Sequence, residues 1–105
     1  MRIYIAGPYT KGDVAQNVRR AVDAADRLRN MGHTPFVPHL SHFWHMAHYR
    51  TEEDWYAWGL EWLRQCEAVL RLPGESKGGD AEVLEARRLG MEVYHSLNDV
   101  PAAIP

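Results

Sequence analysis

Glu82 is the residue of this chain with the clearest potential for chemistry. It follows an apolar run, Ala68 to Leu72, and a loop that contains Ser76, Gly78 and Gly79. A strand, a loop and a helix in that order place the carboxylate at the carboxyl end of the strand, where ligands bind in open α/β sheets. Backbone amides at the start of the helix can hold an anion there. The sequence therefore predicts a ligand site with Glu82 as its reactive group, on the first turn of the helix.

A carboxylate in this place suits the cleavage of a glycosidic bond. Such cleavage builds positive charge at the anomeric carbon, which a nearby carboxylate stabilises or captures, as in retaining glycosidases. The dipole at the amino end of the helix favours the ionised form of Glu82, which a nucleophile requires. The alternative is a surface glutamate that only stabilises the start of its helix.

A histidine recurs at every third residue in an aromatic-rich segment that spans residues 39–49. Imidazoles at this spacing can bind zinc or nickel. The interleaved aromatic residues instead favour a semi-buried lid over an apolar pocket. We therefore predict no metal, and we predict ligand contacts from His39 and His42. The other two histidines of the series are His45 and His48.

The elements that must position these residues alternate between strands and helices. The predicted strands are Ile3 to Ala6, Thr34 to Pro38, Ala68 to Leu72 and Met91 to His95. The predicted helices follow Asp13 and Thr51 and run from Asp80 to Leu89. This alternation predicts an α/β fold with a parallel sheet covered on both faces, in one domain of residues 1–105.

The turn after the first strand, Gly7-Pro8-Tyr9, is predicted to lie beside the loop at Ser76. The carboxyl ends of parallel strands meet at one edge of a sheet, so the two loops should flank a single crevice. The ring of Tyr9 is then placed either to stack on a planar ligand or to pack internally.

Composition and charge narrow the class of protein. Apolar residues make up 46% and charged residues 25% of the chain, as in ordinary globular proteins. The net charge of -2 gives no basic field for a nucleic acid polymer or an acidic membrane. The start of the chain does not resemble a signal peptide, and Cys66 is the one cysteine. We expect a cytoplasmic protein whose partner is a small molecule.

Tryptophans form a wide aromatic face on the helix after Thr51. The three residues, Trp55, Trp58 and Trp62, are predicted to pack in a core or in a subunit interface, with stacking on a ligand as the alternative. So much aromatic surface on a 105-residue chain predicts a homodimer or a higher homo-oligomer. The tail from Val100 to Pro105 is expected to be loose or to dock on a partner subunit.

The third strand and its neighbours resemble the nucleoside 2-deoxyribosyltransferase superfamily, and most closely its 2'-deoxynucleoside 5'-monophosphate N-glycosidase branch with its small relatives. The family pattern is Leu-Glu-Trp-Leu-x-x-x-Asp, an apolar strand, then Ser-x-Gly-x-x-x-Glu. The chain has Leu60-Glu61-Trp62-Leu63 with Glu67, and later Ser76 to Glu82. The segments Ile3 to Gly7 and Gly32 to His39 also match, so the resemblance covers most of residues 2–95.

The resemblance implies a flavodoxin-like or Rossmann-like three-layer sandwich with a short parallel sheet of about four to five strands. It also implies an enzyme that hydrolyses or exchanges the N-glycosidic bond of a nucleoside or nucleotide, a reaction that requires no cofactor. Glu82 matches the nucleophilic glutamate, and Tyr4 matches a tyrosine that orients it. Ser76 and Gly78 match positions that contact phosphate or sugar, and His39 matches a histidine at the phosphate end.

Three positions depart from the family pattern. An aspartate used in substrate handling and catalysis is Gly59 here, and Asp54 is the candidate substitute. A serine and an arginine that bind phosphate are replaced by Pro8 and Thr10, with Lys11 as the candidate cation.

The rival interpretations are a nucleotide-binding module without turnover and an enzyme that cleaves NAD or a nucleotide sugar. The predicted site residues are Glu82, Tyr4 and Asp54 for catalysis, and Gly7, Pro8, Tyr9, Lys11, His39, His42, Ser76, Gly78 and Gly79 for substrate binding.

Overall fold

A four-stranded parallel sheet forms the centre of the computed structural model, which describes residues 1–103. The elements are β1 (Arg2–Ala6), α1 (Val14–Asn30), β2 (Thr34–Phe36), α2 (Ser41–Ala47), α3 (Glu52–Leu63), β3 (Ala68–Arg71), α4 (Lys77–Arg88) and β4 (Glu92–Tyr94). Short 3₁₀ turns occur at Pro38–Leu40 and Leu97–Asp99. The strand order is β2-β1-β3-β4, with every neighbouring pair parallel. This order confirms the predicted flavodoxin-like sandwich and sets the number of strands at four.

Each face of the sheet carries its own hydrophobic core. Side chains alternate along a strand, so Ile3 and Ile5 of β1 face α1, while Tyr4 and Ala6 face α3 and α4. The central strands β1 and β3 are therefore buried on both faces, which explains why they appear in the sequence as continuous apolar runs. The short strand β2, which contains Pro35, lies at the sheet edge as its prolines predicted.

Helix α1 follows its sequence signals closely. The side chain of Asp13 accepts a hydrogen bond from the Gln16 amide at 3.1 Å, which confirms the predicted N-cap. Ala21, Ala25 and Leu28 lie on one stripe and pack against the sheet. None of the helices within residues 1–103 is long and apolar enough to cross a membrane.

The chain after β4 folds back onto its own molecule. Val100 is buried in the core beneath α1, and the Ala103 amide donates to the Met31 carbonyl at 2.9 Å. The Pro101 carbonyl accepts a hydrogen bond from Nε2 of the buried His33 at 2.6 Å. The expectation of a loose or partner-bound tail is therefore wrong for residues 100–103, because Val100 completes this core. The remainder of that predicted tail, residues 104–105, lies outside the described residues.

Candidate functional site

The loops that follow β1 and β3 lie side by side at the carboxyl edge of the sheet, and the surface along their junction is called the crevice below. The chain leaves β1 toward β2 on one side and returns to β3 on the other, so this is the topological switch point where ligands bind in such folds. The two loops touch, because a Cβ built on Gly74 would lie 2.8 Å from the ring of Pro8. Gly74 also has a φ of +112°, a conformation that favours glycine. Lys11 and Glu75 form an exposed ion pair at 3.6 Å across the same junction.

Helix α4 begins earlier than the sequence suggested. Ser76 is its N-cap, and the hydroxyl oxygen of Ser76 accepts a hydrogen bond from the Gly79 amide at 2.9 Å. The expected start at Asp80 is therefore wrong, and Asp80 is instead the acidic residue of the first turn. Glu82 falls in the second turn and points toward the sheet, where only 9% of its surface is exposed.

Glu82 and Tyr4 form a buried hydrogen-bonded pair. β1 directs the fully buried Tyr4 toward α4, and its hydroxyl donates to Oε2 of Glu82. Burial raises the pKa of Glu82 to about 7, although the Tyr4 hydrogen bond and the charge of Arg71 oppose that rise. Glu82 is therefore only partly ionised near neutral pH, and the helix dipole favours its charge less than expected because the residue lies in the second turn. Burial and the neighbouring carboxylate raise the pKa of Tyr4, so Tyr4 remains the hydrogen-bond donor.

Gly59 lets helix α3 pass directly over this pair. A Cβ at Gly59 would lie 2.7 Å from the Tyr4 hydroxyl oxygen and 3.6 Å from Oε2 of Glu82. Any side chain at this position would therefore push α3 away from the sheet or separate the two partners. Gly59, at which the resemblance implies an aspartate, is thus part of the packing around the Tyr4–Glu82 pair.

The first two histidines of the aromatic segment pack on the turn after β1. His39 is buried, and its Nε2–H donates to the Pro8 carbonyl at 3.1 Å. Burial lowers the pKa of His39, so this imidazole is neutral. Its Nδ1 is buried without a hydrogen-bond partner among residues 1–103. The Tyr9 hydroxyl is hydrogen-bonded to Nδ1 of His42 at 2.6 Å, so Tyr9, His39 and His42 form one cluster beside the crevice.

The start of α4 retains part of the predicted anion-binding capacity. The amide of Gly79 is engaged by Ser76, which leaves the first-turn amides of Lys77 and Gly78 outside that cap. No atom lies within 4 Å of the position that a Cβ on Gly78 would occupy, so a ligand can approach the backbone there.

Arg71 is a site residue that the sequence analysis missed. Its side chain is 10% exposed and donates to the Gly74 carbonyl at 3.0 Å and to the Asp80 carboxylate at 2.9 Å. It also donates to the Leu72 carbonyl, so a single guanidinium holds the whole turn between β3 and α4. The available signal was a charged residue inside an otherwise apolar strand, since buried arginines are almost always paired.

The structure does not bring Asp54 to this cluster. Its carboxylate pairs with Arg50 at 2.7 Å and lines a separate cavity beside Trp44 and Trp55. Asp54 and Gly59 are five residues apart, or roughly 140° around the helix, so they face different directions.

His45, the third histidine of the aromatic segment, contacts α3. His45 accepts a hydrogen bond from the indole N–H of Trp55 at 2.9 Å. Across the described part of the chain, no three histidine, cysteine or acidic residues are grouped to hold a metal ion. The predicted tryptophan face is present on α3, because Trp55 contacts Trp58 and both Trp58 and Trp62 contact Phe36. Trp44 of α2 joins this face through Trp55 and Trp58.

These features define an open α/β protein of the flavodoxin-like class, with a crevice at the switch point and a buried carboxyl group beside it. The same fold occurs in a solved structure of a 2-deoxyribosyltransferase from the psychrotolerant bacterium Bacillus psychrosaccharolyticus, described as a biocatalyst for nucleoside synthesis. The two chains superpose with a TM-score of 0.62 at 22% identity, over 89% of this chain and 69% of the other.

The sequence model described as Domain of unknown function (DUF7768) matches residues 1–96. The chain belongs to this family. No protein of curated function matches the sequence significantly. The shared fold agrees with the resemblance to the deoxyribosyltransferase superfamily.

Proposed function

We propose that this protein cleaves the N-glycosidic bond of a nucleoside or nucleotide, with Glu82 as the nucleophile. The observation that carries the proposal is the buried Tyr4–Glu82 pair, which lies next to a switch-point crevice. Perturbed carboxyl groups of this kind concentrate at functional sites. The fold shared with a 2-deoxyribosyltransferase supports the same class of reaction.

In the proposed reaction, the ionised carboxylate of Glu82 attacks C1' of the sugar. The bond between C1' and the base breaks, the base leaves with the bonding electron pair, and a glycosyl–enzyme ester forms. The Tyr4 hydroxyl holds Oε2, so that Oε1 is the attacking oxygen. Water then attacks C1', gives one proton to the group that protonated the base, and releases the free sugar together with the restored carboxylate. Transfer to a second base would replace only this last step, and the resemblance to the N-glycosidase branch favours hydrolysis.

The leaving base requires a proton, for which we propose His42 as the donor. Asp54 pairs with Arg50 on another side of α3, and His39 is neutral with its Nε2–H engaged by Pro8. His42 is only partly buried and is linked to Tyr9 at the crevice. A positioned imidazole is the commonest general acid in enzymes.

Substrate binding is assigned to the two loops that flank the crevice. The amides of Lys77 and Gly78 at the start of α4 suit the phosphate or hydroxyl at the 5' end of the sugar. Lys11 is half of an exposed ion pair, so it can turn toward the same anion at little energetic cost. Tyr9 provides a ring for contact with the base or the sugar.

The test is base release, followed by chromatography, from deoxynucleosides, their 5'-monophosphates, ribonucleotides and NAD. Wild type, Glu82→Gln and Tyr4→Phe are compared at high enzyme concentration. We expect release from one substrate class, and a loss of several orders of magnitude in Glu82→Gln. Glu85→Gln is the matched control, because Glu85 lies one turn away on α4 and pairs with Arg64 and Arg88 instead. Equal release by wild type and Glu82→Gln would exclude Glu82 as the nucleophile.

The second candidate is a nucleotide-binding module without turnover. It is favoured by Gly59, which replaces the family aspartate, and by the burial of Glu82. Such a module would show a rise in Tm with a nucleotide that is recovered intact. Release of nicotinamide from NAD would instead identify the third class of activity, with the same glutamate acting on a ribosidic bond.

A further inference from the structure

Three tryptophans from two helices form the walls of a second cavity. Trp44 comes from α2, and Trp55 and Trp58 come from α3. Their ring centroids are 4.9, 5.9 and 5.6 Å apart, and the rings meet at angles of 83°, 88° and 83°. The three rings are therefore in mutual edge-to-face contact, and all three line one cavity. The cavity has a volume of about 330 Å³, and its charged lining residues are Arg50, Asp54 and Glu61.

Contacts outside the cavity hold two of these walls in place. The indole N–H of Trp55 donates to Nδ1 of His45 at 2.9 Å. Trp58 packs against Phe36, with ring centroids 5.6 Å apart. Phe36 stacks in turn on the buried Tyr4, so this wall is anchored on the protein core. The rings are therefore positioned before any ligand arrives, which reduces the entropic cost of binding.

A cation already lies against one wall. The guanidinium carbon of Arg50 is 5.6 Å from the centroid of Trp44, within the range of a cation–π contact. Arg50 also pairs with Asp54 at 2.7 Å, and about half of each side chain is exposed. Exposed ion pairs contribute little stability, so a better cation can displace this guanidinium from the ring. The geometry and the charge of the cavity both fit a positively charged occupant.

We propose that this cavity binds an organic cation, namely a quaternary or methylated ammonium group. The faces of tryptophan rings attract such groups most strongly, and Asp54 and Glu61 supply the opposite charge. A metal ion would need several oxygen, nitrogen or sulfur ligands, which ring faces do not offer. A neutral apolar ligand would gain nothing from the two carboxylates. The proposal goes beyond the glycosidic reaction and does not rest on it, since neither Glu82 nor the crevice takes part.

The first experiment compares two ligands that have the same shape but differ in charge. Tetramethylammonium and choline are titrated into the whole protein by calorimetry, and 3,3-dimethylbutanol serves as the neutral analogue of choline. We expect choline to bind at least about tenfold more tightly than the alcohol, as one cation–π contact in a desolvated site allows. Equal affinity for both, or no saturable binding of either cation, would overturn the proposal.

Variants then locate the site. We expect Trp44→Leu to weaken choline binding about tenfold or more, and Trp62→Leu to leave it unchanged because Trp62 packs outside the cavity. Trp44 is 43% exposed, so its replacement does not endanger folding. Arg50→Ala should tighten binding, because the internal competitor is gone. Unchanged binding in Trp44→Leu or weaker binding in Arg50→Ala would refute the assignment.

Nuclear magnetic resonance gives an independent readout. The chain has four tryptophans and therefore four indole N–H signals, which single Trp→Leu variants assign. Choline should shift the signals of Trp44, Trp55 and Trp58 in one saturable step and leave that of Trp62 in place. Titration with a trimethyl-lysine peptide then distinguishes a protein-borne ammonium group from a free small molecule. Uniform small shifts of all four signals would indicate non-specific salt effects and count against the site.

Discussion

Glu82 combines two properties that rarely occur together on a protein surface helix. It is a carboxyl group buried within the fold, and one of its oxygens is fixed by a hydrogen bond from Tyr4. Burial disfavours its charge while the hydrogen bond and Arg71 favour it, and the balance sets its pKa at about 7. The protonation state of this single residue is therefore sensitive to pH in the neutral range.

The rate of base release should follow this titration. Only the ionised carboxylate attacks C1', so the acidic limb of the kcat/KM profile is expected to rise with pH, with a midpoint near the Glu82 pKa of about 7. The measurement is kcat/KM across the neutral range for the substrate that the panel identifies. A profile that falls over the same interval would mean that Glu82 acts in its protonated form, as an acid.

The same titration predicts a pH-dependent difference in stability between wild type and Glu82→Gln. The folded pKa of Glu82, about 7, lies above its unfolded value of 4.5, so folding favours the protonated form. Wild-type stability should therefore fall as the pH rises from 4.5 through about 7. Glutamine cannot ionise. Above that pH range, the unfolding free energy of Glu82→Gln should therefore exceed that of the wild type by on the order of 3 kcal/mol.

Urea unfolding at several pH values, followed by tryptophan fluorescence, measures this difference. Glu85→Gln is the control, because Glu85 forms ion pairs with Arg64 and Arg88 that lower its pKa. Its difference from the wild type should be nearly constant through the neutral range. Parallel stability curves for wild type and Glu82→Gln would show that Glu82 has an ordinary pKa in the folded protein.

At the scale of elements, α3 and α4 meet over the Tyr4–Glu82 pair with little space to spare. Gly59→Ala would place a Cβ 2.7 Å from the Tyr4 hydroxyl oxygen. We expect this variant to lose about 1–3 kcal/mol of unfolding free energy through overpacking. Gly78→Ala is the matched control in α4, because its Cβ would meet open space. It should be about as stable as wild type or gain roughly 0.5 kcal/mol.

Denaturant unfolding of both alanine variants tests this packing. Base release by Gly59→Ala gives a second readout, since displacement of Tyr4 from Glu82 should lower the rate even where the protein remains folded. A Gly59→Ala protein with wild-type stability would mean that α3 can move away from the sheet without cost.

The elements differ in how far the sequence determined them. Asp13, a long amphipathic stripe and a closing glycine made α1 predictable from end to end. The start of α4 was not predictable from propensity, because Gly78 and Gly79 are weak helix formers and resemble a loop. The Ser76 cap and the contact of Arg71 with Asp80 determine where α4 begins. The burial of Glu82 was missed because it is the one charged residue on the buried stripe of α4, which also contains Gly79, Val83 and Ala86.

At the scale of the whole molecule, the alternation of strands and helices predicted the sheet and its switch point correctly. The positions of Tyr9, His39 and His42 beside one crevice also followed from strand order. The direction of Asp54 was also available from the sequence, because five residues on one helix separate it from Gly59 by roughly 140°. The contact of Trp44 with Trp55 and Trp58 was not, since packing between distant segments leaves no periodic signal in a single sequence.

The molecule also has an apolar surface that predicts self-association. Phe43, Met46 and Tyr49 are 66%, 70% and 79% exposed. Large exposed apolar patches mark interaction sites. α2 carries no aspartate, glutamate, lysine or arginine, so two copies can meet there without bringing like charges together. We propose a second copy of this chain as the partner, in a two-fold arrangement.

Light scattering coupled to gel filtration tests the oligomer. We expect a dimer or larger species for wild type and a monomer for Met46→Glu, because a buried unpaired charge is costly. Leu84→Glu is the control, since Leu84 is 69% exposed on α4, away from this surface. A wild-type protein that stays monomeric at high concentration would exclude this interface.

The hydrogen bonds of the buried His33 bear on how the protein can be fused to another protein or tethered to a surface. It accepts a hydrogen bond from the Met1 amine at 2.9 Å and donates one to the Pro101 carbonyl at 2.6 Å, so both described ends of the chain meet at the amino edge of the sheet. Residues 1 and 101–103 therefore lie at the edge opposite the crevice. Domain insertion into a host loop, or tethering to a surface by one end, would therefore keep the crevice facing outward.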